Sequence, residues 1–207
     1  MRLTALLATP GVIEEVELRS TIGLMAFHGG HLERMTDVIA RNTAERTGSS
    51  YYGVLHPPDL ATAEHHLTST AFDPAESSAL AAFLDHVEVV VTIHGYGRAG
   101  FWTSLLLGGT HRQFARHLGS HLRRHLPAYD VVDDIESIPT ELRGQHPRNP
   151  VNRPAFGGVQ IELPPRVRGQ SPLFWDWEGP EPCPHTQSVI EALCVAIPEW
   201  ATAQAAR

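Results

Sequence analysis

The sequence predicts an α/β fold: a single domain with a mixed, mostly parallel central sheet flanked by helices. Two observations predict it. Strand-like apolar runs alternate along the chain with segments of helical periodicity, an order that demands crossover connections and hence parallel pairing. Three of the runs also carry polar, ligand-type side chains: Leu24-Met25-Ala26-Phe27-His28-Gly29-Gly30-His31-Leu32-Glu33, then Val89-Val90-Val91-Thr92-Ile93-His94-Gly95-Tyr96, then Gly158-Val159-Gln160-Ile161-Glu162-Leu163. In an α/β protein the carboxyl ends of neighbouring strands share one edge, so His28, Glu33, His94 and Glu162 are expected to meet there. A chain of 207 residues with 42% hydrophobic content is long enough to bury one full core.

The elements follow in order. Residues 11–18 alternate Val12, Ile13, Val16 and Leu18 with three glutamates, the pattern of a partly exposed edge strand. Residues 20–27 read as a more buried strand, closed by Gly29-Gly30, where the backbone can turn tightly. Leu32, Met35, Val38, Ile39 and Ala44 mark a helix over 32–47, and Gly48 stops it. Residues 49–55 are strand-like. The polar segment from His65 to Asp73 reads either as a surface loop or as a substrate-facing one, and Asp73-Pro74 starts a helix over 75–84. Residues 86–93 are nearly continuous in β-branched side chains, as in the middle of a sheet. Residues 105–110 end in Gly108-Gly109 and lead into a helix over 110–126. A short strand is expected at 129–132, and residues 133–148 form a loop with a helical turn. The strand bearing Glu162 follows. Residues 164–184, with Phe174, Trp175 and Trp177 among their prolines, form a long loop over the surface or a site mouth. The segment 185–207 makes a closing helix, broken or bent near Pro198.

Composition excludes several classes. A net charge of −7 and a pI near 6 do not suit a protein that coats nucleic acid or an anionic membrane. No apolar run approaches the roughly 20 residues of a membrane span, and residues 4–12, broken by Pro10 and Gly11, make a poor signal sequence. A cytoplasmic protein, or one released by lysis, is expected. Cys183 and Cys194 are too few for a disulfide scaffold.

Histidine is abundant, at 13 residues. His117, His121 and His125 are spaced by four, as in a helical metal clip, but with Arg112, Arg116, Arg123 and Arg124 nearby a solvated basic face is the expected reading. His28, Glu33 and His94 are different, because they form the imidazole and carboxylate set that holds a catalytic zinc while leaving a position for water or substrate. A glutamate in the first helical turn after a glycine turn can point back at the ion held by His28. Water acidified by the metal needs a base, and Glu162, set between Ile161 and Leu163, is poorly solvated and therefore a candidate with a raised pKa. Individually, His94 reads equally as a hydrogen-bonded strand-end residue, Glu33 as a helix-dipole partner and Glu162 as an outward strand residue.

The ordered segments Phe27-His28-Gly29-Gly30-His31-Leu32-Glu33, His66-Leu67-Thr68-Ser69-Thr70, His94-Gly95-Tyr96, Leu107-Gly108-Gly109 and Val151-Asn152-Arg153 with Gly158-Val159-Gln160-Ile161-Glu162 resemble the poly-γ-glutamate hydrolase family. The similarity is strongest over 23–163. It implies a zinc-carboxypeptidase-like fold and a Zn2+-dependent enzyme cutting γ-glutamyl amide bonds, with His28, Glu33 and His94 as metal ligands and Glu162 as base. His31 departs from the motif, where a small residue is expected, and is read as lining the pocket.

For an acidic γ-glutamyl polymer or peptide, Arg153 is the expected carboxylate anchor, because a guanidinium binds a carboxylate with two hydrogen bonds. Asn152 and His66 are further substrate-binding candidates. Two other functions fit the same residues: a zinc amidase or carboxypeptidase acting on cell-wall or other peptides, and a non-catalytic binder of acidic polymers.

Overall fold

The computed structural model describes residues 1–170 and 176–206. They form a seven-stranded sheet of order β1-β3-β2-β4-β7-β5-β6, comprising β1 (Ile13–Glu17), β2 (Ile22–Gly30), β3 (Ser50–His56), β4 (Val89–Gly95), β5 (Ser104–Leu107), β6 (Asp130–Val132) and β7 (Gly158–Leu163). The strands β3, β2, β4 and β7 pair in parallel, β1 runs antiparallel to β3 at one edge, and β5 runs antiparallel to β7 with β6 parallel beside it. The sheet is therefore mixed and mostly parallel, with helices on both faces.

Strand alternation builds the two faces. Leu24 and Ala26 of β2 join Val91 and Ile93 of β4 in one core with α2 (Thr36–Thr47), α4 (Arg112–His125) and α5 (Pro184–Ala205). Met25 and Phe27 point the other way, into a second core shared with α1 (Leu3–Leu7) and α3 (Ser78–His86). From α3, Leu80 and Phe83 are both 0% exposed, and such burial contributes about 1.5–3 kcal/mol per side chain.

Topology places the functional edge. The crossover from β2 to β3 carries α2 on the first face, and the crossover from β3 to β4 carries α3 on the second. The chain thus leaves β2 toward β3 on one side while β4 lies on the other. A crevice opens at such a reversal, outside the carboxyl ends of the strands.

Several expectations shift. Helix α2 begins at Thr36, so Glu33 precedes the helix instead of lying in its first turn: Met35 adopts a left-handed backbone with φ 72°, which a continuous helix cannot contain. Residue His86 ends α3, and β4 starts at Val89. Asp73 accepts the N–H of Ala75, but this caps a short 3-10 turn; Ser77, accepting from Leu80, caps α3 itself. Helix α1 carries no sequence periodicity long enough to announce it, and Leu3 and Leu6 order it by burial. Pro198 sits inside α5 without ending it. In the 164–184 segment a 3-10 turn spans Pro165–Arg168, while Phe174 and Trp175 lie outside the described residues. No helix among the described residues is long and apolar enough to cross a membrane.

Gly109, in the turn between β5 and α4, has φ +81°, and an added Cβ would stand 2.3 Å from the Gly158 carbonyl oxygen. Backbone atoms cannot yield there. Gly109→Ala is expected to destabilise the fold by about 2 kcal/mol, combining left-handed strain with the clash; a lowered urea midpoint at unchanged slope would register it.

Candidate active site

The crevice is made where two strands part. The ladder between β2 and β4 stops at Met25 opposite Thr92, whereas β4 stays with β7 as far as Gly95 opposite Leu163, and β2 rejoins β3 after an irregularity between Ala26 and Gly29. His28 and His94 flank this gap with ring centroids 5.2 Å apart. Both are buried, at 1% and 3% exposure.

Glu33 returns to the same place through a tight turn in which its N–H donates to the His28 carbonyl at 2.7 Å. Its Oε1 lies 2.9 Å from His28 Nδ1 and 3.5 Å from His66 Nε2. The other oxygen, Oε2, lies 3.4 Å from His94 Nδ1 and accepts the Gly95 N–H at 2.8 Å. Burial alone would raise this carboxyl, yet the charge on His28 and hydrogen bonds from His28, His66 and His94 hold it well below the usual carboxylate range.

The polar segment 65–73 closes over the histidines. His28 Nε2 lies 2.8 Å from the Leu67 carbonyl, and Ser69 Oγ lies 3.5 Å from His94 Nε2. Both ring nitrogens of His28 consequently face oxygen acceptors. The Nε2–H is committed to Leu67, so the space between Nδ1 and the Glu33 carboxylate calls for a proton or a metal ion. One donor atom each from His28, Glu33 and His66 lie within 4.8 Å of one another, a spacing that could hold a cation. His66 is thus closer to the expected ligands than its substrate-contact reading anticipates, although its side chain is 43% exposed at the mouth.

Glu162 sits opposite His94 in the β4–β7 ladder and is 5% exposed. Gln160, two residues earlier on the same side of the pleat, donates to Glu162 Oε1 at 2.8 Å and is itself held by Asn149 at 2.8 Å. Both side chains are therefore buried, which departs from an exposed polar face. Burial pushes the Glu162 carboxyl up to about 7; His94 opposes this, the charge of Glu33 adds to it, and Gln160 and Arg168 oppose it further. The imidazole of His94, opposed by burial, is held above its ordinary range by the Glu33 hydrogen bond and the Glu33 and Glu162 charges.

The outer candidates separate. Arg153 is exposed and lines a cleft with Thr70, Phe72 and Arg148; Phe72 in turn contacts the His28 ring at 5.9 Å between centroids. Asn152 ties loops together: its Oδ1 accepts from Thr110 N–H and Oγ1 at 3.1 and 3.0 Å, and its Nδ2 donates to the Gly144 and His146 carbonyls at 2.7 and 3.0 Å. The His31 side chain is exposed, and its N–H donates to the His56 carbonyl at 2.9 Å.

One residue of the site has no sequence signal. Arg168, 7% exposed, donates to the carbonyls of Leu163, Arg34 and Tyr96 at 3.3, 3.3 and 3.5 Å and to Gln170 Oε1 at 2.9 Å. Those carbonyls stand next to Glu162, next to Glu33 and two residues beyond His94. Gly95 leaves room for the guanidinium, because a Cβ there would meet Arg168 Cζ at 2.5 Å. Arg168→Met is expected to cost about 3 kcal/mol in urea unfolding, since it strands buried carbonyls and removes a cation whose charge interacts with Glu33 and Glu162; a change near zero would mean that those carbonyls find other donors.

The sheet and its flanking helices have a carboxypeptidase-like α/β fold. A metallo-carboxypeptidase from Burkholderia cenocepacia shares it with TM-score 0.51 at 11% identity, covering 94% of this chain and 66% of that one. The family model for poly-gamma-glutamate hydrolase matches residues 7–178, and the chain belongs to the poly-gamma-glutamate hydrolase family. A bacteriophage poly-gamma-glutamate hydrolase has TM-score 0.73 at 22% identity, covering 94% of this chain and 92% of that one, and zinc-free YndL has 0.69 at 22%, covering 90% and 89%. No curated protein sequence matches the chain.

Proposed function

We propose that this protein is a zinc-dependent amide hydrolase that cleaves γ-glutamyl bonds of poly-γ-glutamate or a related γ-glutamyl peptide. In this reading His28, Glu33 and His94 hold the ion and Glu162 is the general base. Membership of a hydrolase family acting on that polymer supports the reaction class and substrate. The description of YndL as zinc-free supports the metal, as does the committed Nε2 of His28, which leaves Nδ1 directed at the Glu33 carboxylate.

The observation that carries the reading is a buried carboxylate, Glu162, adjacent to the donor cluster and outside it. Its pKa near 7 suits a group that both takes and returns a proton at neutral pH. The chemistry that zinc supplies when bound is Lewis acidity toward a carbonyl and acidification of water. Glu162 takes the proton of the attacking water and passes it to the leaving amine. The Gln160 amide fixes one of its oxygens, which leaves the other without a claim from Gln160. His94 is chosen over His66 as the third ligand because a central strand holds it and burial protects it, whereas His66 is left at the mouth to meet substrate. Arg153, in the neighbouring cleft that Phe72 also lines, binds a substrate carboxylate. Asn152 supports the loop beside it.

The test is to incubate zinc-loaded protein with poly-γ-glutamate, α-linked polyglutamate and cell-wall γ-glutamyl peptides, and to count new amino termini. Release from poly-γ-glutamate alone, or from it most rapidly, is the expected result. Release only from cell-wall peptides would transfer the activity to a peptidoglycan amidase, and no release from any would leave an acidic-polymer binder.

A further inference from the structure

Outside the crevice, a second group of metal-ligating side chains lies between α4 and α5. His117 and His121 stand one turn apart on α4 with ring centroids 4.9 Å apart. Glu199 of α5 reaches across to them, its Oε2 3.2 Å from His121 Nε2. One ring nitrogen of each histidine and a Glu199 oxygen all lie within 4.8 Å of one another. We propose that these three residues form a divalent-cation site that staples α4 to α5, separate from the catalytic crevice.

The face that carries the clip is not the solvated one that its arginines suggest. His121 is 3% exposed, and the His117 ring is wedged against Trp200 at 5.4 Å and stacked over Phe114 at 6.5 Å between centroids. Rings held by packing need little reordering to bind an ion. His117 Nε2 also lies 2.8 Å from the Ala196 carbonyl; coordination through Nε2 exchanges that contact for the ion, and coordination through Nδ1 keeps it. His125, the third histidine of the spacing, is not among the residues whose donor atoms converge; its Nδ1 is 2.9 Å from the His121 carbonyl. The exposed side of Glu199, 58% accessible, leaves positions for water.

Two imidazoles and one carboxylate suit Zn2+, Ni2+, Co2+ or Cu2+ and disfavour Mg2+ and Ca2+, which require oxygen donors. The site crosslinks two helices that share the apolar cluster of Phe114, Leu118, Leu193 and Trp200. An ion there holds the helix pair together and takes no part in hydrolysis.

Zinc stoichiometry, measured by equilibrium dialysis and metal analysis, separates this site from the crevice. Wild-type protein is expected to bind two equivalents, and Glu33→Gln one, whose addition still raises the melting temperature. His121→Gln and Glu199→Gln should each weaken the second equivalent on the order of tenfold or more, since even groups behind a ligand cost 10-fold to 100-fold. Hydrolysis should be unchanged in both. Glu199→Gln alters an exposed carboxylate and so avoids any loss of folding that His121→Gln brings. If Glu33→Gln binds no zinc, or if Glu199→Gln and His121→Gln keep the full wild-type stoichiometry and thermal response, the staple is wrong. Should the crevice hold no zinc, one equivalent remains, insensitive to Glu33→Gln and lost with Glu199→Gln.

Discussion

Glu162→Gln is expected to retain the zinc content of the wild type and to lose about 10²–10⁴-fold in amide hydrolysis, the range that a positioned proton-transfer group contributes. The amide nearly matches the carboxylate in shape, and Gln160 and His94 remain in place beside it. What disappears is the capacity to accept a proton from water and to return it to the amine. The substitution also removes a buried carboxyl that the Glu33 charge opposes, so the folded state should tolerate it. Measured turnover of poly-γ-glutamate, together with metal analysis, decides the matter. Undiminished turnover would end the base assignment, and loss of zinc would make Glu162 a ligand.

Glu33→Gln should act on the metal itself. The Glu33 carboxylate touches His28, His66 and His94 and accepts from Gly95, so it is the centre around which the donor cluster is arranged. A glutamine keeps one acceptor oxygen but places an NH2 group where the other carboxylate oxygen faced a ring nitrogen or the Gly95 N–H, and it removes the charge that balances a dication. The expected result is loss of the zinc equivalent that supports hydrolysis and of detectable amine release, with circular dichroism close to wild type. Retained activity at wild-type zinc levels would move the ligand set to His28, His66 and His94.

Much of the site can be read along the chain, and the reason is local. His28 and His94 end apolar β-branched or aromatic runs, and Glu162 interrupts one; burial of those runs in a parallel sheet leaves few places for a polar side chain except the carboxyl edge. Other features depend on distant parts of the chain. The Glu33 position relative to its helix turned on the left-handed Met35, a conformation no periodicity announces. The packing of the 65–73 segment over the crevice shows only in the contacts that Leu67 and Ser69 make with the two histidines. Arg168 looks in sequence like one more basic residue in a proline-containing loop, yet its guanidinium joins the nearby Leu163 to two segments remote from it in the chain, at Arg34 and Tyr96.

By itself, then, the sequence determined the layered α/β architecture, the strand ends that carry His28 and His94, and the family. These follow from hydrophobic periodicity and from residues within a few positions of one another. Tertiary structure decided which donors share the Glu33 carboxylate, that Asn152 ties loops, that Arg168 supports the crevice, and that His121 turns to Glu199 instead of to solvent. Each of these depends on at least one contact across tens of residues, fixed by how strands diverge and helices dock, and a hydrogen bond of 3 Å is set by that three-dimensional placement and not by spacing along the chain.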